Sequence, residues 1–233
     1  MSSAVELLLA VDTATVTASI ALYDLTHAVL LAESTWQARR RHTQELLLAT
    51  QQMMAQLGVQ PAQLAALAVT TGPGSFTGVR IALSVVKGIG MGLARPPQVV
   101  GLPTLTVTAA PWLPLAPRAS AQVWAYIQAG RARYNWAIFD QTFIHPTAAD
   151  HHAGTAADFA AALAANPTQA IWLVGEVAPD LLDAVASLSH VTVMDGISAL
   201  RRAGGLAQLA AQQIAAGAVD NLSALQPLYL QPL

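Results

Sequence analysis

The sequence predicts an α/β protein of two unequal lobes, and three observations carry that prediction. Short apolar runs of strand length alternate with longer segments in which apolar residues recur at helical spacing. A glycine-rich turn, Gly72-Pro73-Gly74-Ser75-Phe76-Thr77-Gly78, joins the strand-like run 64–71 to a helical run 79–94. After Pro103 the strand and helix signals start over in a shorter form.

Residues 7–11 read as a first strand and the β-branched run 15–23 as a second, joined through Asp12-Thr13-Ala14; residues 28–34 supply a third. Thr43 is placed to cap a helix running to Leu57. Leu46, Leu47, Thr50, Met53, Met54 and Leu57 fall on its buried side, and Gly58 terminates it. Val79, Leu83, Val86, Gly90 and Leu93 give the next helix its apolar stripe; Pro96-Pro97 ends it, and Val99-Val100 is a short strand. A three-strand meander followed by helix, strand, helix, strand is the order of one lobe of an actin-like or ribonuclease-H-like fold.

The second half is a cut-down version. Residues 104–110 read as helical, ahead of a loop broken by Pro111, Pro114 and Pro117. Runs 122–128 and 134–140 read as paired strands, Thr155 as the cap of a helix through Ala165, and 171–174 as a strand. A helix over 179–188, a strand over 191–194 and a last helix over 200–216 follow, the last with Leu206, Leu209, Ala210 and Ile214 facing in. The expected division is therefore residues 1–103 as the first lobe and 104–198 as the reduced second. Residues 199–233 form a helix and tail returning to the first lobe.

Composition narrows the function. The 233 residues are 54% hydrophobic and only 10% charged, a thin polar coat that points to a lasting partner covering part of the surface. The net charge of −2 argues against strong nucleic-acid binding by the chain itself. No apolar run is long enough to span a bilayer, and the first residues do not resemble a secretion signal. With no cysteine there is no disulfide, thiolate metal site or cysteine nucleophile, so a reducing cytoplasm is the expected home.

The glycine-rich turn fits neither phosphate template. Gly72 and Gly78 bracket five residues where a P-loop wants four, and the third position of the dinucleotide fingerprint falls on Thr77. A tight strand-to-helix turn outweighs a phosphate cradle, capped by Ser75 or Thr77, with Gly72 and Gly74 allowing positive φ or close backbone approach. Pro73 and Phe76 would stiffen and anchor it. Catalytic signals are equally thin. None of the six histidines forms His-x-x-x-His, adjacent His151-His152 suits a solvated loop, and Ser75 lacks a Gly-x-Ser-x-Gly elbow. Asp12-Thr13-Ala14-Thr15 sits where actin-like ATPases hold magnesium and phosphate, but without a glycine. Asp12 suits a turn-former better than a magnesium ligand, and Asp12 and Thr13 stand as the candidate nucleotide contacts. Gly175-Glu176 offers one glycine where an adenosine loop prefers two.

Ser84, Gly88 and Gly92 recur every fourth residue as a strip of small residues. Glycines at 88, 90 and 92 each cost a helix about 1 kcal/mol against alanine. Close packing of another helix would offset that cost, whether a partner's or the chain's own Thr43 helix. Arg39, Arg40 and Arg41 precede a helix start, where positive charge opposes the macrodipole. An acidic partner surface or a nucleic-acid phosphate would relieve the conflict, and a solvated basic turn is the default.

The opening Leu9-Ala10-Val11-Asp12-Thr13-Ala14-Thr15, the segment His42-Thr43-Gln44-Glu45-Leu46 and the turn Gly72 to Gly78 with Val79-Arg80 resemble the TsaB (YeaZ) family. The closing Pro227-Leu228-Tyr229-Leu230 is similar to that family's Pro-x-Tyr-Leu. The resemblance implies a two-lobed fold of the actin and sugar-kinase class. It implies a non-catalytic subunit that binds and activates a TsaD-like catalytic subunit, which transfers threonylcarbamoyl to adenosine 37 of tRNA. A TsaE-like ATPase would be met through the complex, tRNA would be met indirectly, and the chain alone would form a homodimer. No metal or cofactor of its own is implied; ATP or ADP would sit at the interface with TsaD. The residues implied for partner contact are His42, Thr43, Leu46, Thr50, Arg80, Ser84, Lys87, Gly88 and Gly92. The chain departs from the family at Gln128-Ala129-Gly130, where Asp-Ala-Arg is usual. The competing readings are an autonomous ATPase or kinase of the same fold and a glycoprotease-type hydrolase.

Overall fold

The computed structural model describes residues 6–39, 41–130, 132–140, 147–176 and 178–228. They fall into two compact units, one reaching to Leu102 and completed by Arg202–Pro227, the other built on Pro103–Arg201.

The first unit is a five-stranded sheet ordered β3-β2-β1-β4-β5. Strands β1 (Leu7–Asp12), β2 (Thr17–Asp24) and β3 (Val29–Gln37) form the antiparallel meander, while β4 (Leu64–Gly72) runs parallel to β1. Strand β5 (Gln98–Pro103) closes the edge. Every residue of β1 and β2 is buried, so both sheet faces are covered. The covering helices are α1 (His42–Gln56), α2 (Phe76–Gly92) and α6 (Ala203–Ala215). Strand β3 runs three residues past the expected end because it pairs with β2 along its whole length, Thr17 opposite Gln37.

Four expectations about the helices need correction. Helix α1 begins at His42 with Arg41 as its N-cap and no side-chain capping bond, so Thr43 lies inside the first turn instead of capping it. The Arg41 carbonyl already accepts from the Gln44 and Glu45 amides, which fixes the start one residue earlier. The buried stripe is His42, Leu46, Thr50, Met53 and Met54; Leu47 and Leu57 are exposed, because one residue turns the helix by about 100°. Helix α2 starts at Phe76, three residues before the expected start, and α6 buries Ala203, Leu206, Ala207 and Ala210, leaving Leu209 and Ile214 half-buried.

The second unit carries a sheet ordered β10-β9-β6-β7-β8. Strands β6 (Ala121–Gln128) and β7 (Tyr134–Phe139) form the expected antiparallel pair, with β9 (Ala170–Val174) and β10 (Val191–Val193) added in parallel. Helix α3 (Thr104–Ala109) packs on β6 and β7, and α4 (Ala156–Ala164) packs against α5 (Pro179–Val185). Thr155 caps α4 through a reciprocal box with Asp158. The last expected turn of α5, to residue 188, is absent. Strand β8 (His152–Gly154) corrects the solvated loop expected at His151-His152: His152 pairs opposite Trp136, and its ring stacks on that indole at 5.6 Å. Trp124, Tyr126, Tyr134 and Trp136 alternate inward from β6 and β7 onto Phe159, Leu163, Leu181 and Val185, forming the core. Among the described residues no helix is long and apolar enough to cross a membrane.

Candidate functional site

Two features of the first unit hold most of the residues singled out from the sequence: the β1–β2 turn and the outer faces of α1 and α2. At the turn, Asp12 Oδ1 accepts from the Ala14 amide and from Thr70 Oγ1, both at 2.8 Å. Thr13 Oγ1 donates to the Gly78 carbonyl at 2.7 Å, and the Ser75 amide donates to the Ala14 carbonyl at 2.6 Å. A Cβ at Gly74 would lie 2.4 Å from the Ala14 carbonyl oxygen, and one at Gly78 only 2.0 Å from that of Thr13. The glycine-rich turn is therefore a clasp that lets the β1–β2 turn lie against the first turn of α2. Gly72 adopts φ +110°, a region that favours glycine. Ser75 is the cap, its Oγ accepting from the Gly78 amide at 3.2 Å; Thr77 is not.

This clasp decides what Asp12 and Thr13 do. Their exposures are 1% and 0%, and both side chains are bonded inside the protein, so a nucleotide or magnesium contact would require the turn to open. In the second unit, Gly175 is taken up by packing, since a Cβ there would lie 2.5 Å from the Tyr126 carbonyl oxygen. Glu176 lies 3.9 Å from the buried Arg201. Among the described residues no three His, Asp or Glu side chains converge as a metal-binding group. His145 lies outside them.

The outer faces of α1 and α2 are built differently. Phe76, expected to anchor the turn, is 63% exposed; the Arg80 guanidinium sits 3.6 Å from its ring centroid, and the two form a cation–π pair on the surface. Thr43 and Leu47 from α1 and Phe76, Arg80, Ile81 and Ser84 from α2 line an apolar groove of about 470 Å³. Ser84, Gly88 and Gly92 are exposed, and a Cβ at either glycine would meet nothing within 4 Å. Gly90 is different: a Cβ there would lie 2.7 Å from Leu222 and 3.3 Å from Leu67, so its neighbour is internal, though it is not α1.

Of the residues expected at a partner interface, Thr43, Arg80, Ser84, Gly88 and Gly92 lie on this face. His42, Leu46 and Thr50 do not. They are 6%, 0% and 4% exposed and pack inward, which corrects their assignment as contact residues. Lys87 Nζ donates to the Ser223 carbonyl at 3.1 Å. The Arg41 charge at the start of α1 is matched within the chain, by Glu45 at 2.8 Å, which also accepts from Trp36 Nε1. Arg39 takes φ +53° and donates its amide to the Val16 carbonyl; Arg40 lies outside the described residues.

His42 has a consequence for stability. Its Nδ1 is buried without a hydrogen-bond partner, and burial holds the imidazole below its usual pKa of 6.5, against the opposing pull of the Thr15 backbone, Glu45 and Asp12. The folded protein therefore binds fewer protons than the unfolded chain below pH 6.5, and stability falls as pH drops from there toward the lowered folded pKa. Urea titrations over this range should show that slope flattened in His42→Leu; an unchanged slope would mean another group carries it.

The comparisons with known proteins agree with this architecture. Residues 35–171 match the family model described as "TsaD: tRNA N6-adenosine threonylcarbamoyltransferase". The chain belongs to that family. Two curated relatives, both named tRNA threonylcarbamoyladenosine biosynthesis protein TsaB, place it with TsaB (YeaZ) members. The Escherichia coli protein is 32% identical over 140 residues, 58% of this chain and 55% of that protein. The Haemophilus influenzae protein is 37% identical over 105 residues, 44% and 41% of the two chains. The matched stretch thus spans about half the length of these relatives. Among solved structures, a Pseudomonas aeruginosa protein described as similar to peptidase YEAZ superposes with TM-score 0.75 at 24% identity, covering 97% of this chain and 100% of that one. YeaZ from the same organism gives 0.68 at 23%, with the same coverage. At these identities both report the fold alone. The fold is the two-lobed α/β class expected from the element order.

Proposed function

We propose that the chain is a non-catalytic subunit of the machinery that makes threonylcarbamoyladenosine in tRNA, and that it acts by binding a TsaD-like catalytic subunit through the outer faces of α1 and α2. The observation that carries this reading is the exposed strip Ser84, Gly88 and Gly92 beside the groove under Leu47 and Phe76. It is a helix surface on which another helix can lie close, and nothing among the described residues fills it. The buried, internally bonded state of Asp12 and Thr13 supports the non-catalytic half. The names of the curated relatives support the pathway. On this reading the cytoplasm is the working compartment, the free chain pairs with itself through the same face, and it holds no cofactor alone. Nucleotide belongs at the joint interface with the catalytic subunit; a TsaE-like ATPase and tRNA are met through the complex.

The test is co-purification and calorimetry with the cognate TsaD-like protein. Wild type should bind, and Gly88→Leu should bind at least about 30-fold more weakly, a loss of ~2 kcal/mol typical of blocking a central contact. Its thermal transition should not fall, since the new side chain enters open space and leucine favours a helix over glycine. Undiminished binding by that variant would remove α2 from the interface. Turnover of ATP or tRNA by the isolated chain would overturn the non-catalytic reading.

A further inference from the structure

The segment after α6 makes a second set of specific contacts that partner binding does not require. Gly217, at φ +75°, turns the chain, and Asp220 then bridges antiparallel to Val99 on the edge strand β5. The Asp220 amide donates to the Val99 carbonyl and the Gly101 amide donates to Asp220 Oδ2, both at 2.7 Å. Backbone and carboxylate of one residue thus satisfy edge groups of the sheet that would otherwise be open to pairing. The next residues form a turn of their own: Asn221 Oδ1 accepts from the Ser223 amide, and the Asn221 carbonyl accepts from the Ala224 and Leu225 amides.

Two leucines on this turn fill sockets left by missing side chains. A Cβ at Gly90 of α2 would lie 2.7 Å from a Leu222 methyl, and one at Gly101 of β5 would lie 2.6 Å from a Leu225 methyl. Leu225 is 8% exposed and Leu222 half-buried, while residues 219, 220, 221, 223 and 224 are exposed. Lys87 Nζ, bonded to the Ser223 carbonyl, closes one side.

We infer that the groove between β5 and α2 is a docking site for a short Asp-x-Leu-x-x-Leu segment, occupied in cis by the chain's own residues 219–225 and able to release it. The ligand chemistry follows from the contacts. An acidic side chain accepts from the free edge amide of Gly101, and two leucines three apart enter the glycine sockets. Release follows from their small number: the turn bonds mostly to itself, and a segment with few buried contacts opens at far lower free energy than the sheet beneath it.

The Gly101 amide reports the docked state, because its acceptor belongs to the segment. In hydrogen exchange, Leu222→Ser with Leu225→Ser should speed Gly101 exchange at least tenfold while β1 and β4 amides keep their rates. A synthetic peptide of residues 217–228 added in trans should restore Gly101 protection. Asp220→Ala, which leaves both leucines, should give the same acceleration and serves if the double variant does not fold. The inference is overturned if Gly101 exchanges only with the β1 and β4 amides in every variant. It is equally overturned if the peptide leaves Gly101 unprotected.

Discussion

Gly78→Ala is expected to destabilise the protein by about 3 kcal/mol or more, read as a lowered urea midpoint, and to do so without touching the exposed face of α2. The added methyl would lie 2.0 Å from the Thr13 carbonyl oxygen and 3.2 Å from the Ser75 Cβ. The first of these is backbone, held in place by the Thr13 hydroxyl on the Gly78 carbonyl and by the Ser75 amide on Ala14, so no flexible side chain can swing aside. Either the β1–β2 turn lifts, exposing Asp12 and Thr13, or α2 shifts its first turn. Both break the clasp. Gly88→Ala, ten residues along the same helix, should have the opposite sign. Its Cβ meets nothing, so the gain in helix propensity, up to ~1 kcal/mol, is realised in the free chain. If both variants unfold at the same urea concentration as wild type, the clasp does not hold the turn.

Those two glycines show what the sequence made legible and what it withheld. The turn motif announced a close backbone approach, and Gly74 and Gly78 make one, but spacing could not name the approaching group, which lies some sixty residues earlier on the chain. The meander and the parallel crossover to β4 were readable because each strand is a short apolar run bounded by turn residues. The helix faces were less so. Periodicity placed Leu46 and Thr50 on the buried side of α1, where they lie, but with Leu46, Leu47 and Leu48 all apolar it could not set the edge of that side, and Leu47 is exposed; the family resemblance alone had put Leu46 and Thr50 at an interface. Strand β8 was missed because three residues carry no period; it exists through its pairing with Trp136. The docked segment 219–225 had a signal that went unused. A glycine inside a helix and another inside a strand each mark close approach, and Gly90 and Gly101 receive leucines from the same turn.

In the second unit the largest effect is expected from Phe159→Ala, a loss of about 3–5 kcal/mol. Phe159 is fully buried and is the common neighbour of the aromatic core. It stacks on Trp136 at 4.4 Å and 10°, lies 6.3 Å from Trp124, and meets Tyr126 edge-on at 5.9 Å and Tyr134 at 6.4 Å. Helix α4 brings little else to this core: apart from Leu163 its residues there are alanines, so truncation leaves a cavity that small neighbours cannot fill. The surrounding rings are fixed from other directions. The Tyr134 hydroxyl donates to Asp180 at 2.5 Å, and Trp136 is backed by His152, so collapse into the hole is opposed and the cost lies toward the upper end of the range. Phe159→Leu keeps most of the volume and should lose about 1–1.5 kcal/mol. Because Trp124 and Trp136 belong to the cluster, their fluorescence in a urea titration reports its unfolding directly. A loss below ~1 kcal/mol for the alanine variant would mean that the strands β6 and β7, and not this ring stack, hold the unit together.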